Sequence, residues 1–215
     1  MIAAQALPAD ADSFQESQGR SIRTAPLRKS EWEVRPCRLE LAQGLVERFH
    51  YAHGGSNTAT FVHGLFPRGG VWDRECAGVA WWIPPPKSSA QRNYPANWQG
   101  VLSLSRVVCT PDAPKNSCSF LIRHSMRFID RKVWPCFVTY ADEWQGHAGK
   151  IYEALIGAGW RFDGFTKPER VYVKDGRMVS RKAGPKTRTH AEMLALGFEC
   201  VGKFRKRRFI NVDGQ

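Results

Sequence analysis

Two β-prone runs, each followed by a loop and then by helical spacing, sit within residues 101–160 and restrict the fold of the whole chain. The first, residues 101–108 (VLSLSRVV), leads through the Pro- and Asn-bearing loop 110–116 into residues 117–129, where Ile122, Met126 and Ile129 recur at helical intervals. The second, residues 136–142 (CFVTYAD), leads through a glycine-bearing loop into residues 147–155. A helix that follows a strand must lay its apolar stripe back on the sheet, so this order asks for mixed α and β layers around one core.

The first strand–loop–helix unit also has a chemical use. Helix N-termini leave backbone N–H groups unpaired and attract anions such as a pyrophosphate. Ser117 and Ser119 are suited to N-capping, and Lys115 adds a positive charge just before them. An ordinary capped helix after a strand would show the same spacing.

At 215 residues the chain fits one domain with tails, and 42% hydrophobic residues with eight Trp and twelve Phe fit a globular core. No apolar run approaches the roughly 20 residues of a membrane span, and the start lacks the basic-then-apolar order of a signal peptide. No membrane role is expected. The six cysteines are scattered without a C-x-x-C pair, which reads as reduced thiols of a cytosolic protein rather than a disulfide frame or zinc site. Charge is uneven: residues 161–210 hold fourteen Lys/Arg against five Asp/Glu, most of the chain's formal +12. A basic concentration of this kind points to a polyanion, nucleic acid first; a solvated basic face or an anionic membrane surface is the alternative.

Residues 1–30 lack periodicity and are expected to be a flexible segment, with a single domain over 31–210. Within it, residues 32–37 alternate as a first strand, and Leu41, Leu45 and Phe49 form a helical stripe expected to pack on the core. Residues 61–66 and 76–83 read as paired strands, and Pro84-Pro85-Pro86 opens a loop through Trp98. Of Trp81 and Trp82, one should face inward and one outward, so that the outward ring, with Tyr94 and Trp98, becomes a candidate for stacking on a base. Asp175-Gly176 signals a hairpin, residues 188–196 a short helix, and residues 198–210 one last strand carrying Lys203, Arg205, Lys206, Arg207 and Arg208. The order β-α-β-β-β-α-β-α-β-β predicts an α/β (α+β) fold with a mixed central sheet flanked by helices.

His50, Tyr51 and His53 lie within four residues, next to Gly54-Gly55, at a helix end. Two imidazoles and a phenol there offer general acid/base groups or metal ligands; a surface loop of polar aromatics is the plainer reading.

The 101–160 stretch resembles the acetyl-CoA-binding core of the GNAT acetyltransferases, although residues 110–119 replace the usual glycine-rich loop and Tyr152 lies further than usual from Gly159-Trp160. His50-Tyr51-Ala52-His53-Gly54, Leu104-Ser105-Arg106-Val107-Val108 and Tyr140-Ala141-Asp142 with Gly146 through Tyr152 together resemble the Mom DNA-modification proteins of Mu-like phages, over residues 32–165 and into the basic C-terminal part. That resemblance implies a GNAT-like, mostly antiparallel sheet and an enzyme that converts adenine in double-stranded DNA to its N6-carbamoylmethyl (acetamido) form, protecting phage DNA from restriction in the host cytoplasm. It implies a reactive cluster of His50, Tyr51 and Asp142, and a cofactor side of Arg106, Val108, Ser117, Ser119 and Tyr152 for acetyl-CoA or CoA. It further suggests iron or another divalent metal held by His50, His53 and Asp142, and DNA phosphates on Lys203, Arg205, Lys206, Arg207 and Arg208. An N-acetyltransferase acting on a protein or small molecule, and a non-catalytic DNA-binding protein, are the other readings. The oligomeric state, a homodimer among the options, is left open.

Overall fold

A computed structural model describes residues 25–70, 75–183 and 186–213, so most of the segment expected to be flexible, residues 1–30, lies outside the described residues. In chain order the elements are β1 (Trp32–Pro36), α1 (Leu39–Phe49), β2 (Phe61–Pro67), β3 (Gly78–Ile83), α2 (Lys87–Asn93), β4 (Val101–Cys109), α3 (Ser117–Ser125), β5 (Cys136–Asp142), α4 (Lys150–Glu153) and β6 (Arg161–Phe165). There follow β7 (Glu169–Lys174), β8 (Arg177–Val179), β9 (Lys182–Ala183), β10 (Lys186–Thr187), α5 (His190–Ala195), β11 (Glu199–Phe204) and β12 (Lys206–Val212). A seven-stranded sheet in the order β1-β2-β3-β4-β5-β12-β6 forms the body; β4 pairs with β5 in parallel, and the other neighbours are antiparallel. The mixed, mostly antiparallel fold expected from the sequence is the one observed. Among the described residues, no helix is long and apolar enough to cross a membrane.

Both faces of the sheet are covered. Ala42, Leu45 and Val46 of α1 pack with Val62, Val79, Trp81 and Val108 on one face. Leu121 and Ile122 of α3 and Tyr152 of α4 pack with Trp82, Leu102, Leu104, Phe137 and Phe209 on the other. The α1 stripe is therefore shifted from the expected one: Phe49 is 40% exposed, because the helix turns residues 42, 45 and 46 inward. Trp81 and Trp82 do face opposite ways, yet both are buried, each under a helix layer; their indole N–H groups donate to Thr58 O (3.2 Å) and Ser125 Oγ (2.7 Å). Neither is left for a base. Tyr94 and Trp98 are half-buried against Val101 and Ile210, and the expected loop before them forms α2.

Two departures from regular pairing position everything that follows. β4 and β5 pair only at Val101–Ser103 with Cys136–Val138; beyond these residues they share no ladder and open as a fork. Opposite the Trp81/Trp82 step, β4 carries a bulge at Ser105. Leu104 lies in the α3-side core and Val108 in the α1-side core, so the extra residue reverses the alternation and sends Arg106 to the α1 face.

The run expected as one final strand is two strands in different sheets. β11 joins β7 and β8 in a three-stranded sheet, while β12 returns to the main sheet between β5 and β6. Residues 166–205 thus form an excursion whose neck is tied where Thr166 N–H donates to Lys206 O and Lys206 N–H to Thr166 Oγ1, both at 2.9 Å. Its hairpin has the expected Asp175-Gly176 turn, with both residues at positive φ, and α5 is capped by Thr189 and Glu192 in a reciprocal box.

Gly149, before α4, combines φ of +83° with a position where a Cβ would stand 2.5 Å from the Phe209 ring. Gly149→Ala should lower stability by more than about 1 kcal/mol, since neither the backbone nor the packed ring can yield. Urea unfolding checks this, with Gly157→Ala, which meets nothing within 4 Å, as the mild comparison.

Candidate active site

The loop after α1 is bent over β4 by a set of short local bonds. His50 caps the helix, donating its N–H to Val46 O at 3.0 Å, and His53 at φ 42° closes a turn back to His50 O at 2.9 Å. Gly55 allows the loop to lie on the Trp81 ring, which a Cβ would meet at 2.7 Å. Arg106, sent to this face by the bulge, donates from Nε to Gly54 O at 3.0 Å and from Nη1 to Ser105 O at 2.7 Å.

Asp142 ends β5 on the same face and is only 3% exposed. Its Oδ1 accepts the Trp144 N–H at 3.2 Å, and its Oδ2 pairs with Lys206 Nζ at 3.0 Å across the β5–β12 ladder. Its carbonyl accepts the His147 N–H at 3.1 Å, which folds the next loop back toward the strand end.

These elements bring His50, Tyr51 and Asp142 into one cluster although 92 positions separate the first from the last. The His50 and Tyr51 rings stack at 4.3 Å, and the His147 ring meets Tyr51 edge-on at 5.1 Å. Burial pushes the His50 imidazolium down to about 3, helped by Arg106, His147 and His53. Burial raises the Tyr51 phenol, with Asp142 acting the same way and Lys206 and Arg106 against it. Burial lowers His147, which Asp142 partly offsets. At neutral pH the site therefore holds neutral imidazoles and a protonated phenol around an ion-paired carboxylate. His50 Nδ1 accepts the Ala52 N–H at 3.1 Å, so the neutral ring carries its proton on Nε2 and presents a donor.

Residues 31–209 match the model of the Mom protein family. The chain belongs to that family. No curated protein sequence matches it. Among solved structures it is similar to a GCN5-related N-acetyltransferase from Kribbella flavida, at 12% identity and a TM-score of 0.48, covering 86% of this chain and 99% of that one. It is also similar to the ribosomal-protein-S18-alanine N-acetyltransferase from Escherichia coli, at 12% identity and a TM-score of 0.48, covering 86% and 95%. A third similar structure is the NatC complex bound to Gag peptide and CoA, at 8% identity and a TM-score of 0.44, covering 85% and 98%.

On the opposite face of this Mom-family chain a cleft of about 350 Å³ lies between residues 113–119 and α4, with Lys115 and Lys150 among its walls. Ser117 and Ser119 line it but do not cap α3 as expected: their hydroxyls donate to Pro114 O (2.7 Å) and Asn116 O (3.0 Å), and Asn116 at φ 70° is the N-cap. Tyr152 is buried at the base of the fork, its hydroxyl 3.1 Å from Thr139 Oγ1, which bonds Leu104 O at 3.1 Å. Arg106 and the Val108 side chain belong to the other face, one beside the His50–Tyr51 loop and one beneath α1.

His50, His53 and Asp142 do not form a metal-ligand set. His53 is exposed with Nδ1 turned to Glu47 O at 2.9 Å, Asp142 is taken up by Lys206, and among the described residues no three His, Cys, Asp or Glu gather to hold an ion. Of the basic run, Lys203 and Arg205 are exposed, while three members have carboxylate neighbours: Lys206 with Asp142, Arg207 with Glu153 at 4.0 Å, and Arg208 with Asp163 at 2.8 Å. His147 does not stand out in the sequence. Its signal is the Gly146-His147 step just past an acidic strand end, legible only once β5 is known to stop at Asp142.

Nitrogen-15 NMR should find His50 neutral and protonated on Nε2 from neutral pH to about pH 4. The unfolded chain takes up a proton near the ordinary value of 6.5 that the folded chain refuses until about 3. Folding stability should accordingly fall as pH drops from about 6.5, with buried His63 (about 4) adding in the same direction. His50→Gln should flatten that acid limb; a ring already protonated at about pH 5 would contradict the assignment.

Proposed function

We propose that the chain is a DNA-modifying transferase that alkylates the N6 amine of adenine in double-stranded DNA, giving the carbamoylmethyl form and so shielding phage DNA from restriction. The observation that carries this reading is the gathering of His50, Tyr51, Asp142 and His147 at the open end of the β4–β5 fork, in a chain of the Mom family.

The N6 lone pair is delocalised into the purine ring, so the amine needs help to react as a nucleophile. As the N6–C bond forms, one N6–H bond must break, and its proton needs an acceptor. His147 is suited to accept it, being neutral, exposed to solvent and beside Asp142, which would stabilise the imidazolium. The Tyr51 hydroxyl, His50 Nε2–H and Arg106 are donors that would orient the base or stabilise negative charge on the transferred group. Lys206 holds Asp142 in place as a positioning residue.

The cleft between α3 and α4 fits the pyrophosphate of CoA, with Lys115, Lys150 and the first turn of α3 as its holders. A CoA thioester held there would supply an acyl group, which by itself gives only the N-acetyl form. The carbamoylmethyl form requires a donor that already carries the amide nitrogen and loses a leaving group from its methylene carbon as the N6–C bond forms. Tyr152 keeps its proton because burial raises its pKa, and with the Thr139 hydroxyl given to Leu104 O that proton goes to Thr139 Oγ1, tying α4 to the base of the fork. Duplex DNA would lie against the exposed cations of the 166–205 excursion, Lys167, Arg170, Lys174 and Lys203 among them, together with Arg205. The target base would leave its stack to reach the cluster.

Mass spectrometry of nucleosides from DNA of cells expressing the chain should reveal the modified adenine. Tyr51→Phe and Asp142→Ala should each reduce it at least about a hundredfold while DNA affinity stays within about threefold, as expected when a transition-state donor or charge is removed. Unmodified adenine, with acetyl groups instead on an amine of a protein or small molecule, would replace this reading by an ordinary N-acetyltransferase. Calorimetry tests the cleft separately: CoA should bind, and Lys115→Ala with Lys150→Ala should weaken it at least about tenfold.

A further inference from the structure

Phe162 and Phe165 are 45% and 44% exposed, on the edge strand β6, with ring centres 5.2 Å apart in an edge-to-face pair. A spacing of three in a regular strand puts two side chains on opposite faces. Here the β6–β12 register shifts between Arg207 and Phe209, and Gly164, at φ +100°, supplies the extra residue that returns Phe165 to the face of Phe162. The bulge is held from behind by Arg208, whose Nε pairs with Asp163 Oδ2 at 2.8 Å and whose Nη2 donates to Asp163 O at 2.8 Å. A bulge thus places two large apolar rings side by side in solvent, which folding alone does not require.

Cations accompany the rings. The Arg205 guanidinium lies 5.3 Å from the Phe165 ring centre and that of Arg207 lies 5.2 Å from the Phe162 ring centre. Arg207 Nε is buried and has no hydrogen-bond acceptor among the described residues, and its carboxylate neighbour, Glu153, stands 4.0 Å away. Flat apolar rings with guanidinium groups beside them suit a ligand that is itself flat and carries an anion on a short tether, which is the chemistry of a nucleotide in an unstacked strand.

The platform stands at the same end of the sheet as the cluster but on its other face. Phe165 pairs with Arg207, and Arg207 pairs with Ala141, the residue before Asp142. Phe162 meets Phe209 of the α3-side core at 5.7 Å, whereas Lys206 and Asp142, one step along, face the α1 side. Resting on the reading of the chain as a DNA-modifying enzyme, we propose that Phe162, Phe165, Arg205 and Arg207 form a stacking platform for an unpaired base of a strand that passes round this edge of the sheet, separate from the site of the target adenine.

The test uses the full chain and an oligonucleotide carrying 2-aminopurine, single-stranded and as a duplex. Wild type should quench the fluorophore on binding the single strand. F165L and the double variant F162L/F165L, which keep apolar bulk but remove the rings, should lower single-strand affinity roughly tenfold per ring, lose the quenching and change duplex affinity far less. F165W should restore both affinity and quenching. Unchanged single-strand affinity and quenching in the double variant would overturn the platform. If wild type still modifies DNA in that case, only the platform falls; if wild type binds neither form of DNA, the reading of the chain as a DNA enzyme falls with it.

Discussion

The pairing of Asp142 with Lys206 is the interaction on which the candidate site depends. A carboxylate buried to 3% exposure needs compensation, and it has a cation at 3.0 Å and the Trp144 N–H at 3.2 Å. Removing one partner of a fully buried pair costs about 3–5 kcal/mol; here the figure is smaller, because the Lys206 side chain is 42% exposed and water screens it. The pair does more than neutralise charge. It clamps the end of β5 to the start of β12, beside the neck that ties the 166–205 excursion. The His147 loop starts from the same carboxylate-bearing residue. Strand end, loop and excursion therefore share one fixed point.

The consecutive residues Lys206, Arg207 and Arg208 illustrate how a run of like charges divides once it enters a strand. Alternation turns Lys206 and Arg208 to one face and Arg207 to the other. Lys206 meets Asp142, Arg208 braces the bulge of β6, and Arg207 lies by Phe162. As a string they read as one polyanion-binding tract. As a strand they are three separate structural devices, and the solvent-facing charge passes to the cations of the excursion.

Local patterns made much of the architecture legible. The alternating runs, the two strand–loop–helix units and the Asp175-Gly176 hairpin depend on neighbours within a few residues, and the structure contains each of them. What the sequence hid depends on partners far along the chain. The bulge at Ser105, which sends Arg106 to the His50–Tyr51 cluster, exists only against the Trp81/Trp82 step of β3. Gly164 could equally have been an ordinary turn glycine. The break at Arg205 splits one apolar-basic run between two sheets, which no periodicity within the run announces. For the candidate site, proximity of His50 to Tyr51 is a matter of adjacency, whereas the arrival of Asp142 and His147 requires the sheet order. The metal set of His50, His53 and Asp142 is unsupported for the same reason: His53 is exposed and donates its Nδ1–H to Glu47 O, and the Asp142 carboxylate is taken up by Lys206.

The protonation state of the cluster at neutral pH limits the chemistry it can support. Around Tyr51 stand two cations, Arg106 and Lys206, and one carboxylate, Asp142; beside it lie two imidazoles that resist protonation. His50 cannot serve as a base through Nδ1, which already accepts the Ala52 N–H, so its free edge donates. Two side-chain donors held neutral and two cations make a site that stabilises negative charge more than positive charge. A reaction that begins with a weakly basic, delocalised amine suits such an environment, because its barrier falls as the amine loses its proton and as charge builds on the acceptor group. Under the proposed function, taking up the amine proton therefore falls to His147, the imidazole whose depression Asp142 partly offsets.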